Sequence, residues 1–113
     1  MNSNCVFCSI INRDIPAQII YEDEDFLVFD DINPSSKIHK LIVPKKHIKN
    51  LSEIGIEENK YLWNKYIDII NILKTSLKVL NFKIVINNGD KLQLVKHLHF
   101  HFLSGDDVND KLN

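Results

Sequence analysis

The sequence predicts an α+β domain in which a mainly antiparallel sheet packs around one long helix. Several short segments rich in β-branched and aromatic residues are separated by turn residues, a pattern typical of hairpins. One central stretch instead carries apolar residues at intervals of three and four, as an amphipathic helix does. A chain of 113 residues suits a single domain. We expect this domain to span residues 1–113, with frayed ends at residues 1–4 and 106–113.

The first part of the chain predicts a short helix followed by three strands. Residues 5–11 are apolar and are expected to be helical, and the connector after them contains Pro16. Strands are expected at residues 19–22, 26–31 and 39–44. A polar turn joins the first two strands into a hairpin, and Pro44 ends the third because proline cannot donate to the strand ladder.

The second part of the chain predicts one long helix, from about residue 57 to residue 80, and two further strands. The apolar positions of the helix form a continuous stripe: Leu62, Tyr66, Ile69, Ile70, Leu73, Leu77 and Leu80. Trp63 and Ile67 widen this stripe. The helix therefore has room to face both the core and a partner subunit, although a wide stripe also fits a helix buried within its own core. The two strands are expected at residues 82–87 and 97–103.

Composition argues against several kinds of partner. The formal net charge is −1, so the chain lacks the surplus of basic residues that binds nucleic acid. No apolar run approaches the roughly 18 residues that span a bilayer, and the N-terminus lacks the features of a signal peptide. We therefore expect a cytoplasmic protein without a membrane or nucleic-acid partner. In that compartment Cys5 and Cys8, three positions apart, indicate a metal half-site or a redox pair rather than a structural disulfide.

The most informative segment is residues 97–103, HLHFHFL. Alternation with a period of two places His97, His99 and His101 on one face of a strand and the apolar residues on the other. Shuffling the histidines of this chain would give such a run in about one sequence in a hundred. A solvated strand face more often carries Thr, Ser, Lys or Glu. The pattern therefore favours a site that uses imidazole as a metal ligand or as a nucleophile.

Three segments in the same order carry a family resemblance. Residues 97–103 fit the pattern H-φ-H-φ-H-φ-φ, in which φ is apolar. Residues 39–47, HKLIVPKKH, resemble G-H-x-L-V-I-P-K-x-H, and residues 29–34, FDDINP, resemble F-x-D-I-x-P. Over residues 5 to 105 or so, the chain resembles the histidine triad (HIT) family, in its compact nucleotide-binding, phosphoramidase-like branch.

This resemblance implies both an architecture and an activity. It implies a five-stranded antiparallel sheet and a homodimer whose sheets join across a two-fold axis. It implies binding of purine nucleoside monophosphate derivatives and hydrolysis of nucleoside phosphoramidates or acyl-phosphates through a nucleotidyl-histidine intermediate. Two other functions stay open: a nucleotide-binding or adaptor protein with little turnover, and a dinucleoside polyphosphate hydrolase.

The resemblance also implies roles for three histidines. The middle member of the triad, His99, is expected to be the nucleophile. A neutral imidazole suits this role because it is a free base at pH 7 and leaves readily from phosphorus. His101 is expected to hydrogen-bond a phosphate oxygen or the leaving group, and His39 to orient or polarise the site. Alternatively, His101 is a packing residue and His39 a satisfied strand histidine.

The nucleotide contacts implied by the resemblance lie in three loops. Asp31 is expected to accept hydrogen bonds from the ribose diol, although it also suits a turn-capping role. Phe29 and Ile32 would form the apolar walls around the base. Asn87 matches a strand-end residue that contacts the sugar and phosphate, or it is a plain turn residue before Gly89.

The connector ahead of the triad departs from the family pattern. Relatives often carry G-Q-S-V, whose serine hydroxyl and following backbone N–H bind phosphate. Here residues 92–95 read LQLV, so Gln93 and Val95 match while Leu94 replaces the hydroxyl. We expect phosphate binding to be weaker or reorganised, with an amide from Gln93 and charge from Lys91 or Lys96.

A metal site is the remaining expectation. Cys5 and Cys8 supply two soft ligands, and a structural zinc needs four. The resemblance supplies His47 and His97 as the other two, in a Cys2His2 set that ties the N-terminal helix to the triad strand. Two alternatives stay open: a pair of reduced thiols without metal, and one metal held by all three strand histidines. The second fits poorly, since alternate residues of a strand are nearly collinear.

Overall fold

The computed structural model describes residues 4–108, which form an α+β domain. Its helices are α1 (Val6–Ile11), α2 (Leu51–Ile54) and α3 (Tyr61–Ser76), with a short 3₁₀ segment at Glu57–Asn59. Its strands are β1 (Ile19–Glu22), β2 (Phe26–Asp30), β3 (Ile38–Pro44), β4 (Lys83–Ile86) and β5 (Phe100–Ser104). The predicted fraying of residues 1–3 and 109–113 lies outside the described residues.

The five strands form one sheet in the order β1-β2-β3-β5-β4, and every neighbouring pair is antiparallel. This arrangement confirms the predicted fold class. The central strands β3 and β5 are far apart in sequence, and their register pairs Leu41 with His101. Strand β2 flanks β3 on one side and β4 flanks β5 on the other.

Helix α3 covers one face of the sheet. Its buried residues are Leu62, Tyr66, Ile69 and Leu73, spaced by three and four as the sequence predicts. They pack on Leu98, Phe100 and Phe102. The ring of Tyr66 stacks on that of Phe100 with centroids 3.7 Å apart. Burial of these alternate residues orients the histidine segment, because the residues between them must face the opposite side.

Helix α1 covers the other face. Phe7, Cys8 and Ile10 pack in a second apolar cluster with residues of β2 and β3, among them Leu27 and Phe29. In β2 the odd and even positions therefore enter different cores, which explains why the strand is apolar throughout. The histidines of the triad face this second cluster.

Two predicted boundaries were wrong. The long helix begins at Tyr61, after the 3₁₀ segment. It ends at Ser76, because Lys78 adopts a left-handed backbone conformation (φ 56°) and Val79 N–H bonds back to Lys74 O. Strand β5 begins only at Phe100, since Leu98 N–H donates to Ile48 O, 2.7 Å away, rather than to a strand. Near the end of the described residues, Asp107 accepts a hydrogen bond from Lys37 N–H.

Among the helices formed by residues 4–108, none combines the length and the apolar character that a membrane crossing requires.

Replacing Tyr66 with phenylalanine is expected to leave the protein as stable or make it more stable. The Tyr66 side chain is fully buried, and its hydroxyl has no hydrogen-bond partner within residues 4–108. Removing an unsatisfied buried hydroxyl relieves a desolvation cost of about 1–3 kcal/mol. Urea unfolding should show an unchanged or higher midpoint for Tyr66→Phe. Tyr66→Ala, which also removes the stacked ring, should lose about 3–5 kcal/mol. A clear loss of stability in Tyr66→Phe would contradict this account.

Candidate active site and metal centre

Three histidines meet where β3 and β5 run side by side. His101 lies opposite Leu41, and His39 comes two residues before Leu41 in β3. The ring centroids of His39 and His101 are 5.1 Å apart, and the ring of His99 lies 4.9 Å from that of His101. The structure therefore brings together the three residues predicted to be catalytic. Alternation along residues 97–103 puts His99 and His101 on one face, and the pairing of β3 with β5 brings His39 beside them.

The ring of His99 presents one nitrogen as a free base. Its Nδ1 lies 2.7 Å from the carbonyl oxygen of His97, and a carbonyl can only accept, so Nδ1 carries the hydrogen. Burial lowers the pKa of His99 below its usual value, which keeps the ring neutral at pH 7. Nε2 of a neutral ring protonated at Nδ1 holds a lone pair. Phe7 packs edge-on against this ring at 4.9 Å.

His39 and His101 form a hydrogen-bonded pair, and the contacts around the pair determine which nitrogen of each ring carries the hydrogen. Ser35 N–H donates to His39 Nδ1 at 3.0 Å, so the hydrogen of the His39 ring is on Nε2. This Nε2–H donates to His101 Nδ1 at 2.9 Å and also lies 3.3 Å from Asp31 Oδ2. Burial lowers the pKa of His39, and it lowers that of His101 to about 4. A neutral His101 that accepts at Nδ1 carries its hydrogen on Nε2.

Asp31 follows β2, and its two carboxylate oxygens make two different contacts. Its Oδ1 accepts from Asn33 N–H at 2.9 Å, which is the turn-capping geometry that the sequence left open. Its Oδ2 faces His39. The turn therefore holds the carboxylate beside the histidine pair without using all its lone pairs.

The other predicted nucleotide contacts are spread around this group. Phe29 is buried in the second apolar cluster, and Val95 packs against that cluster. Ile32 is 88% exposed, so within the described residues it walls no closed cavity. Asn87 follows β4, two residues after Val85, which pairs with His101, so alternation places Asn87 on the side of the triad.

Phe7 was missed by the sequence analysis. Its ring contacts three others at once, with centroids 5.6 Å from Phe29, 5.9 Å from His97 and 4.9 Å from His99. It therefore forms a wall between the apolar cluster and the histidines. The available signal was an aromatic residue between Cys5 and Cys8 on a short helix that already carried a predicted site.

The connector does not supply the expected phosphate donors. Gln93 is buried, its Oε1 accepts from Gly89 N–H, and its amide group donates to Lys49 O and Val95 O. Lys96 Nζ donates to the carbonyls of Asp90 and Gln93. Both side chains hold the loop in place, and the hydrogens of the Gln93 amide that the sequence predicts for phosphate are bonded to carbonyls in this structure. Leu94 is 99% exposed.

Cys5, Cys8, His47 and His97 form the predicted four-residue cluster. Their ligand atoms all lie within 4.8 Å of one another. Cys5 Sγ is 3.2 Å from His97 Nδ1, and Cys8 Sγ is 3.2 Å from His47 Nδ1. Metal–sulfur and metal–nitrogen bonds of about 2.3 and 2.1 Å at a tetrahedral angle would separate these atoms by about 3.6 Å. The cluster therefore fits a tetrahedral metal ion after a small expansion.

The surroundings of His97 also suit a metal ligand. Its Nε2 donates to Pro44 O at 2.7 Å, which leaves the Nδ1 lone pair directed at the sulfurs. Ligating histidines usually donate their second nitrogen to such a carbonyl. Burial lowers the pKa of His97 to about 4 and raises that of the Cys5 thiol. The imidazole is thus ready to bind, whereas the thiol would lose its proton on binding a metal.

A second group of possible ligands, Asp31, His39 and His101, differs from this cluster in one respect. Ser35 N–H occupies His39 Nδ1, so the nitrogen facing the group carries a hydrogen instead of a lone pair. The group is therefore a hydrogen-bonded relay in this structure. The hypothesis of one metal held by all three strand histidines is wrong, since His97, His99 and His101 turn their nitrogens to three different partners.

The fold and the site together define a class of protein. It is a small α+β domain with three alternating histidines beside a helix-covered sheet, and one of these histidines belongs to a Cys/His cluster. The family model of the HIT domain matches residues 12–108. The chain belongs to the HIT family.

Individual relatives agree with this assignment. The chain is 43% identical to an uncharacterised HIT-like protein of Methanocaldococcus jannaschii over 100 residues, which cover 88% of this chain and 77% of that protein. It is 39% identical to the protein HitA of Neisseria gonorrhoeae, covering 88% and 94% of the two chains. Among solved structures, a HIT family hydrolase from Clostridium thermocellum superposes with a TM-score of 0.91 at 38% identity, covering all of both chains.

Acidification is expected to destabilise the protein through His101. Its pKa is about 4 in the folded state, against 6.5 ordinarily, so the unfolded chain binds the proton first as the pH falls. The free energy of unfolding should therefore decrease between about pH 6.5 and pH 4. Urea unfolding across this range, at constant metal content, should show a shallower decrease for His101→Asn than for the wild type. Equal slopes for the two proteins would contradict the assignment of a buried neutral imidazole.

Proposed function

We propose that this HIT family protein is a purine nucleotide-binding hydrolase that cleaves nucleoside 5′-phosphoramidates or acyl-phosphates. The observation that carries the proposal is the single free lone pair on His99 Nε2, held by the Nδ1–H contact to His97 O. Family membership and the similarity to a HIT family hydrolase support the reaction class. The choice of phosphoramidate rests on the chemistry of imidazole as nucleophile and leaving group.

In the proposed first step, His99 Nε2 forms a bond to the α-phosphorus and the phosphorus–nitrogen bond of the substrate breaks. The electron pair of that bond stays on the departing amine, which takes a proton from solvent. The phosphorylated ring keeps its hydrogen on Nδ1 and becomes cationic, and the contact with His97 O offsets this charge. In the second step water attacks phosphorus, the neutral imidazole departs and a proton returns to solvent.

His101 and His39 assist this reaction without bonding to phosphorus. The hydrogen on His101 Nε2 is available to a phosphate oxygen, where it stabilises the charge of the transition state. His39 fixes that hydrogen by occupying His101 Nδ1. His101 is therefore proposed as a catalytic residue and His39 as a positioning residue.

Asp31, Phe29, Ile32, Asn87 and Val95 are proposed to bind the nucleotide. The carboxylate of Asp31 would accept the ribose hydroxyls, and the apolar side chains would contact the base. Asn87 lies on the triad side at the end of β4 and would contact the sugar and phosphate. Phe7 joins this set because it packs against both Phe29 and His99.

The connector favours a second candidate, a nucleotide-binding or adaptor protein with little turnover. Leu94 offers no hydroxyl, and the polar groups of Gln93 and Lys96 already donate to Lys49 O, Val95 O and Asp90 O. Phosphate would then depend more on backbone N–H groups and His101. Dinucleoside polyphosphate hydrolysis is a variant of the first proposal, since it needs the same nucleophile.

We further propose one structural zinc ion per chain, held by Cys5, Cys8, His47 and His97. Bound there, zinc supplies no step of the reaction but cross-links two thiolates and two imidazoles. The four residues connect α1, the loop after β3 and the segment that leads into β5. His97 would therefore be held in place, and with it the carbonyl that orients His99.

A homodimer is proposed from the apolar side chains that α3 leaves exposed, namely Tyr61, Trp63, Ile67 and Ile72. They lie on the helix predicted to face both a core and a partner subunit. The cytoplasm is the expected compartment because both cysteines are free thiols in a ligand-like cluster.

Substitution of His99 tests the proposed activity. His99→Ala should lower kcat for a fluorogenic adenosine phosphoramidate by about 10⁴-fold or more, because the reaction loses its nucleophile. AMP binding and unfolding midpoint should change little, which separates chemistry from folding. Equal and negligible rates in wild type and variant, with AMP still bound, would instead favour the adaptor.

Metal analysis tests the zinc proposal. Protein purified without chelator should contain about one zinc per chain, and Cys8→Ser should lower both the zinc content and the unfolding midpoint. Ser9→Ala on the same helix is the matched control and should keep the metal. Absence of metal from the wild type, with both thiols freely titratable, would contradict the proposal.

A further inference from the structure

Asp31 stands between the proposed ribose site and the histidine pair, and each of its oxygens has one contact within the described residues. Oδ1 accepts from Asn33 N–H at 2.9 Å, and Oδ2 lies 3.3 Å from the hydrogen-bearing Nε2 of His39. A carboxylate has about four lone-pair positions, two on each oxygen. One position therefore remains on each oxygen, which matches the two O–H donors of a ribose 2′,3′-diol.

The hydrogen on His39 Nε2 is bound by one acceptor and attracted by the negative charge of a second group. His101 Nδ1 is 2.9 Å away and Asp31 Oδ2 is 3.3 Å away, whereas a neutral ring offers a single hydrogen on this nitrogen. Ser35 N–H holds His39 Nδ1 as an acceptor, so the tautomer that would move this hydrogen from Nε2 to Nδ1 is excluded. Whatever weakens one acceptor therefore directs the hydrogen to the other.

We propose that Asp31 couples ribose recognition to catalysis, because ribose hydroxyls bound to its carboxylate direct the His39 hydrogen onto His101. This inference rests on the proposed function and names the sugar as the part of the substrate that the site reads. Hydroxyls donating to the carboxylate draw off its charge and weaken it as an acceptor for His39. The His39–His101 bond, already the shorter of the two contacts, is then strengthened, and the hydrogen of His101 is held more firmly on Nε2, facing the phosphate.

No other charged side chain is placed to override this effect among the described residues around the pair. The nearest ring besides the pair is that of His99, which is neutral and 4.9 Å from His101. Lys40, next to His39, forms its ion pair with Asp30. Asp31 is thus the one anionic group in contact with the relay, and it is also the group proposed to bind the sugar.

The proposal predicts that kcat as well as KM differs between a ribose substrate and its 2′-deoxy analogue. A substrate lacking the 2′-hydroxyl leaves Asp31 a stronger competitor, so His101 donates less effectively in the transition state. Complete loss of one such donor costs about 10²–10³-fold in kcat. A partial loss should lower kcat by about tenfold for the 2′-deoxy substrate.

The test compares adenosine and 2′-deoxyadenosine phosphoramidates on the full chain with its metal content checked. His39→Phe removes the donor, so kcat for the ribose substrate should fall and the ratio of the two kcat values should approach one. His39→Gln offers two amide hydrogens, one for His101 and one for Asp31, so kcat should be higher than in His39→Phe while the ratio again approaches one. Asp30→Asn, the neighbouring carboxylate paired with Lys40, should keep the wild-type ratio. Equal kcat values for the two substrates in the wild type, or a ratio unchanged in both His39 variants, would overturn the coupling.

A second measurement does not depend on turnover. Nitrogen-15 NMR of the imidazole rings reports the tautomer of His39 and His101 while AMP or 2′-deoxy-AMP is added. AMP should shift the His101 Nδ1 and His39 Nε2 resonances toward a single hydrogen-bonded state, and 2′-deoxy-AMP should shift them less at equal saturation. Binding of both nucleotides with equal shifts would overturn the coupling but not the proposed function. Failure of both nucleotides to bind would overturn the two together.

Discussion

A neutral imidazole carries one N–H, and this constraint determines what each histidine of the site can do. The carbonyl of Pro44 takes the hydrogen of His97 and leaves its other nitrogen to the sulfurs. The carbonyl of His97 takes the hydrogen of His99 and leaves Nε2 as a base. The backbone N–H of Ser35 forces the hydrogen of His39 onto the side of His101. Residues of one type thus acquire different functions from backbone groups alone.

These contacts hold only because the sheet is covered on both faces. Phe100 and Phe102 are buried under α3, which turns the alternate residues toward α1. Phe7 of α1 then packs against His97 and His99. The same burial removes water from the rings and lowers their pKa values, so they stay neutral at pH 7. The packing of the histidine rings and their neutral state at pH 7 therefore have the same cause, which is the covering of the sheet on both faces.

The Cys/His cluster and the relay lie on either side of His99 and differ in their exposure. The four ligand atoms of the Cys/His cluster lie within 4.8 Å of one another, and Cys5, Cys8 and His97 are buried. The relay ends at Asp31, whose side chain remains partly exposed. His99 thus lies between a buried group of possible ligands and a partly exposed carboxylate. In the connector, Gln93 donates to Lys49 O and Val95 O, and Lys96 donates to Asp90 O, so these side chains hold the shape of the segment.

The sequence alone determined the fold class, the shared face of the histidines and the two cysteines of the Cys/His cluster. These follow from backbone periodicity and from a short motif, which are local properties of the chain. The two histidines of the cluster followed from the family resemblance instead. It did not determine where α3 ends, that Gln93 is consumed by its own loop, or that Phe7 lines the site. Nor did it determine which nitrogen of each ring carries the hydrogen. Only the tertiary structure decided that. Pro44 is distant in sequence from His97, and although Ser35 and His97 are close in sequence to His39 and His99, the fold sets the direction of their backbone groups.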